Sequence, residues 1–203
     1  MDEASEARGS GYSNTVAEDA WKIFFDGMNR VEQALFEVAR ALPAEVDPWS
    51  QLIWTGISLQ IPLEELTARF DAAQARSPWD PMVVGATLQG LCNKWSGSHE
   101  MMWAFARMVA SSAPAGSPAI SALPQAHLEH IISMQRDDHP TPFALLESYE
   151  TKQELFEALE RCVSHPDFEW NGPGVHAANT FVCAIFQAGY FAEVDPILQN
   201  VFR

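Results

Sequence analysis

From Trp21 to Leu42 apolar residues return every three or four positions: Trp21, Phe24, Met28, Val31, Leu35, Val38 and Leu42. That is the period of an amphipathic helix with one buried face. Thr15-Val16-Ala17-Glu18 has capping-box order and predicts the helix start. Gly27 marks a place for a bend, and Pro43 predicts the end. The same period then recurs in shorter runs. Asp47-Pro48 opens a run with Leu52, Ile53 and Ile57, and Pro62 opens one with Leu66, Phe70 and Ala73. Asp80-Pro81 leads into Met82, Val83, Leu88, Leu91 and Cys92. Ser117-Pro118 leads into Ile120, Leu123, His127, Ile131 and Ile132, with Pro124 resetting the helix near its start. An Asp or Ser followed by Pro supplies an N-cap and a preset first helical residue. Thr151-Lys152-Gln153-Glu154 repeats the capping box before Leu155, Leu159 and Cys162. Apolar helices are predicted from His176 to Ala188 and from Phe191 to Phe202, with a possible restart at Asp195-Pro196. No segment alternates with period two between hairpin turns, so little or no sheet is predicted.

The most apolar run lies mid-chain. Trp95-Ser96-Gly97-Ser98 is a turn, and Ser98 is a good N-cap for a helix through Ala110. Met101, Phe105, Met108 and Val109 share one face, and Met102, Ala106 and Val109 an adjoining one. Only a stripe through Glu100, Ala104, Arg107 and Ser111 is left polar. A helix apolar nearly all round is expected to be central and buried.

Pro48, Pro81 and Pro118 stand 33 and 37 positions apart, a helix-pair period. The spacing of Leu66, Phe70, Ala73 and Pro78 resembles the second helix of a tetratricopeptide repeat, with Leu where that consensus prefers Ala. Met102, Ala106, Val109 and Pro114 follow it loosely. The resemblance covers roughly Asp47 to Asp137. The longer order Trp95-x-Gly97-Ser98-x-Glu100-x-Met102-x-x-Phe105-Ala106-Arg107 resembles bacterial helical-repeat proteins to which no reaction is assigned. These resemblances imply an all-α fold in which antiparallel helix pairs stack as a short α-solenoid. The expected organisation is an acidic disordered tail over residues 1–13 and one helical-repeat domain over 14–203.

Composition narrows the partners. Hydrophobic residues make up 47% of the 203, enough for a sizeable core. The formal net charge is −15, and basic residues are scattered singly. Nucleic acid requires a basic footprint, and anionic membrane surfaces attract one, so both are excluded as partners. A protein or peptide partner, basic in character, is compatible. No run approaches the roughly 18 apolar residues of a membrane span, and the polar start does not read as a secretory signal. Cys92, Cys162 and Cys183 are widely spaced in apolar surroundings and read as buried free thiols of a cytoplasmic protein.

Candidate chemistry is sparse. His127 and His130 are three apart on one helix and share a face, but the zinc-protease pattern needs a spacing of four with Glu after the first His. A third ligand such as His99 or His139 is needed for a metal. Glu100 and Arg107 lie two turns apart, about 10 Å along the axis, too far to pair directly. Each is expected to meet a ligand or a neighbouring helix. There is no phosphate loop and no nucleophile motif. No catalytic residue, metal ligand or cofactor is therefore assigned. The expected partner-binding residues are Trp95, His99, Glu100, Trp103, Arg107, His127 and His130. The leading expectation is a non-enzymatic binding scaffold. The alternative is a metal- or small-molecule-dependent enzyme at His127/His130 and Trp95/His99, with Glu129 as carboxylate. Phe186, Tyr190, Phe191 and Phe202 suggest self-association through the C-terminal helices.

Overall fold

A computed structural model describes residues 5, 6, 8, 9 and 15–201, without the side chains of 196, 200 and 201. The tail expected over 1–13 lies outside the described residues except for Ser5, Glu6, Arg8 and Gly9, and Phe202 also lies outside them. Between Glu18 and Val201 there are nine α-helices and, among the described residues, no strand. The chain divides into two compact units, Met1–Pro78 and Trp79–Arg203.

The first unit carries α1 (Glu18–Ala41), α2 (Asp47–Leu59) and α3 (Leu63–Gln74). Helix α1 packs on α2, and α2 on α3. Phe24 and Met28 of α1 are buried beside Trp21, Phe25 and Leu59. Leu52 and Ile53 of α2 are fully buried. The start of α1 departs from the capping-box expectation. The N-cap is Ala17, in extended conformation and with no side-chain cap, and Glu18 and Asp19 instead place negative charge at the positive end of the helix dipole. Gly27 does not interrupt the helix. Asp47 is likewise inside α2 rather than its N-cap, a place taken by Val46.

Arg69 of α3 ties the three helices together. It is buried, and its guanidinium pairs with Glu32 of α1 at 2.6 Å and Glu65 at 2.6 Å. It also donates to the Leu52 carbonyl of α2 and lies over the Phe36 ring at 5.3 Å. Gly56 makes room for it: a Cβ there would stand 2.6 Å from Ile61 Cδ1 and 3.0 Å from Arg69 Nη1. Only Nε of this guanidinium is buried without a partner.

The second unit carries α4 (Pro81–Gly90), α5 (His99–Ser112), α6 (Ala122–Arg136), α7 (Tyr149–Arg161), α8 (Gly172–Gln187) and α9 (Phe191–Val201). Side-chain caps fix several starts. Asp80 accepts from the Met82 and Val83 amides, Ser98 from Met101, Ser148 from Thr151 and Asn171 from Gly174. Two starts therefore precede the expected ones. Thr151 is not a cap but the residue whose amide Ser148 caps, and α8 begins at Gly172 rather than His176. Pro124 is tolerated in the first turn of α6, after a short 3-10 turn at Pro118–Ser121. Helix α9 continues past residues 195 and 196 without a restart.

The central helix is α6, which packs against α4, α5, α7 and α8. This corrects the expectation that α5 is the buried centre. Helix α5 buries only Met102, Ala106 and Val109. Its neighbouring face is open: Met101 is 37% and Met108 38% exposed. Hydrophobic pattern alone ranked α5 first because Met, Trp and Phe count as apolar whether or not anything covers them.

Candidate functional site

The turn before α5 depends on Gly97, where a Cβ would stand 2.0 Å from the Leu91 carbonyl oxygen. That close backbone approach, followed by the Ser98 cap, aims the first turns of α5 along α6. The result is a stack of rings. His99, the first residue of α5, lies against His130 of α6 with ring centroids 4.4 Å apart and a 32° tilt. Trp103, one turn on, meets His127 edge-on at 4.6 Å and His130 at 6.0 Å. Its indole N–H donates to His130 Nδ1 at 3.4 Å. Arg107, a further turn along, covers the outer face of Trp103 at 5.0 Å.

Helix α7 closes the arrangement with Glu154. Arg107 Nε donates to Glu154 Oε1 at 2.7 Å. His127 is 1% exposed, and its Nε2 lies 3.4 Å from Glu154 Oε2, an ion-pair distance that lacks hydrogen-bond geometry. Both ring nitrogens of His127 and Nδ1 of His99 are buried without hydrogen-bond partners. The His127 imidazole, with the Arg107 guanidinium, holds Glu154 at about 2, against the opposing effect of burial. Burial, with His99 and His127 adding to it, pushes the His130 pKa below its ordinary value.

Polar contacts flank the stack. Asn93 Nδ2 lies 3.0 Å from His99 Nε2 and 3.3 Å from Ser133 Oγ. Glu129 of α6 is held by Lys94 at 2.7 Å and by Gln89, whose amide donates to it at 2.5 Å. Both of its carboxylate oxygens are thereby engaged. Beyond Arg107, a cleft of about 240 Å³ is lined by Arg107, Ser111, Leu123, Glu154, Glu157 and Arg161, among others. Arg161 donates to the Ala110 and Ala113 carbonyls and so satisfies the C-terminal end of α5.

Of the seven residues singled out in the sequence, five converge: His99, Trp103, Arg107, His127 and His130. Trp95 stands in the turn, 44% exposed, and Glu100 is exposed on the first turn of α5. The stack does not have the geometry of a metal centre. Among the described residues, no group of three or more His, Cys, Asp or Glu side chains is arranged to hold a metal ion. The thiols stand apart from it in chemistry. Burial raises Cys92 and Cys162 to about 12, the Glu129 carboxylate adding to the Cys92 shift, which makes both poor nucleophiles. Cys183 is exposed, contrary to expectation.

Comparison of the chain with protein-family models, with curated proteins and with solved structures finds no match. Glu154 is the site residue that sequence reasoning missed. It is 47 positions from Arg107 and 27 from His127, and it stood only as the last member of a capping box. Nothing in a helical period connects residues on different helices.

Proposed function

We propose that the chain is a non-enzymatic, cytoplasmic binding protein, and that the 79–203 unit holds a basic protein or peptide segment along the open face of α5. The observation that carries this reading is the exposure of Met101 and Met108 on the face of α5 turned away from the aromatic stack, with Trp95 exposed in the preceding turn. Large apolar side chains left uncovered suit an interaction surface, and Met adapts to irregular partners. Acidic residues stand elsewhere on the same unit, Glu100 exposed on the first turn of α5 and Glu154 and Glu157 lining the cleft beside Arg107. Together with a net charge of −15 they favour a cationic partner with apolar anchors. In this reading α4 and α5 form the tetratricopeptide-like pair that opens at Pro81, within a short solenoid of stacked pairs.

The test compares two 14-residue amphipathic peptides of equal leucine content, one Lys-rich and one Glu-rich, by fluorescence anisotropy. The Lys-rich peptide is expected to bind, and the double substitution Met101→Glu with Met108→Glu to weaken it at least tenfold. Equal affinity for both peptides, or no loss in the double variant, would refute the reading. No specific observation favours the enzymatic alternative, because Glu129 is committed to Lys94 and Gln89.

A further inference from the structure

We infer that His130 and His99 form an acid-sensitive latch: a proton taken up at His130 breaks its bond to Trp103 and releases the first turns of α5 from α6. The argument begins with donor chemistry. An indole N–H can only donate, so the contact from Trp103 Nε1 makes His130 Nδ1 an acceptor. In the neutral ring the proton therefore sits on Nε2, and the acid proton must go to Nδ1. The charged ring has two N–H donors and no acceptor, which sets one donor against the other at 3.4 Å. His99 repeats the pattern, since Asn93 Nδ2 faces its Nε2 at 3.0 Å and an amide nitrogen likewise only donates.

The surroundings oppose a compensating fit. The His130 ring is 4.4 Å from that of His99, the first residue of α5, so a cation at His130 stands near the positive end of that helix. The charged and titratable groups facing the pair are identifiable element by element. From α6 itself come His127 and Glu129, with Arg136 bonded to Ser133 one turn beyond His130. From α5 come Glu100 and Arg107, and from the preceding turn Lys94. Helix α7 contributes Glu154, and α4 contributes the neutral Gln89. Helix α8 meets α6 through Ala184 and Ala188, which pack on Ile131. The two carboxylates that reach the cluster are already engaged, Glu129 by Lys94 and Glu154 by Arg107 and His127.

The direction of the pH effect follows from the depressed His130 pKa. The unfolded chain takes up this proton near the ordinary value of about 6.5, and the folded chain does so lower. The contribution is thus fully present above about 6.5 and is lost as pH falls from there toward the folded value. The latch itself needs no partner, while its consequence for binding rests on the proposed α5 surface.

Amide hydrogen exchange on the full chain tests it. Between pH 7.5 and 5.5, protection of residues 99–103, corrected for intrinsic exchange rates, is expected to fall several-fold, within the roughly tenfold that one imidazole with an open-state value near 6.5 allows, in the natural sequence and in the exposed-site control His176→Gln. In His130→Gln, which keeps a neutral acceptor for Trp103, the fall is expected to vanish. Protection independent of pH, or an equal fall in His130→Gln, overturns the latch. An NMR titration of the unmutated protein stands in if that variant fails to fold. The Trp103 indole proton is expected to shift with a midpoint below 6.5 that matches the His130 ring, and an indole proton indifferent to that titration overturns the proposal. Affinity for the Lys-rich peptide is expected to fall several-fold over the same range. An opened latch with unchanged peptide affinity leaves the latch standing and removes the α5 binding surface.

Discussion

Arg69 and Arg107 are both arginines on helices, each bonded to a glutamate of another helix, and they do different work. The Arg69 side chain is 4% exposed and its partner Glu32 16%, whereas Arg107 is 59% exposed and Glu154 26%. Arg69 is surrounded on every side by the helices it joins: two carboxylates, a carbonyl and an aromatic face. A permanent cation so enclosed cannot change state, and leaving any of its partners alone is costly. Arg107 lies at the rim of a group that can change state: it covers Trp103, whose indole bonds to His130, and it pairs with Glu154. The first arrangement holds a fold together. The second has the exposure and the titratable groups that a responsive surface requires.

The contrast breaks first at Arg69. Arg69→Ala is expected to cost about 3–5 kcal/mol, because it strands Glu32 among α1, α2 and α3. Urea denaturation of the full chain measures it, and a loss under 1 kcal/mol would remove the distinction. Trp103→Ala comes next. It deletes the ring that touches His127, His130 and Arg107, and for a half-buried aromatic the expected loss is about 2 kcal/mol. Glu154→Gln should act through pH. Its carboxyl is held at about 2, below the ordinary value near 4.3, so the stabilisation it supplies is present above that ordinary value and lost as pH falls toward 2. Melting temperatures from pH 5 to 2 are expected to fall less steeply in Glu154→Gln than in the natural sequence. The smallest effect is expected at Arg107→Ala, within about 1 kcal/mol by the same denaturation assay, since an ion pair this exposed is screened by solvent. A loss as large as that of Arg69→Ala would show that burial is not what separates the two residues.

The helices were legible because helix formation is local. Periods of three and four, Asp80-Pro81 and the Ser98 cap each act within a few residues, and each coincides with an observed element. Starts were misjudged where two plausible caps lay close together, as at Ser148 and Thr151. The centre of the second unit was misjudged for another reason. Met101 and Met108 satisfy an apolar pattern equally well in a core or at a surface, and only the packing of α6 against four helices shows which helix is enclosed. The candidate site was legible as residue types, His99, Trp103, Arg107, His127 and His130, and not as an arrangement.

The all-α character of this chain, its strong negative charge and most of its helix boundaries follow from the sequence by itself, since they depend on neighbours within one or two turns and on simple addition of charge. The tertiary structure alone decided that Arg69 meets Glu32, that Glu154 and not Glu129 faces His127, and that the His130 nitrogen accepts from Trp103. Those contacts join residues 27 to 37 positions apart on separate helices, and each is set by how helices pack. The same packing sets the solvent exposure that separates a structural ion pair from a titratable surface.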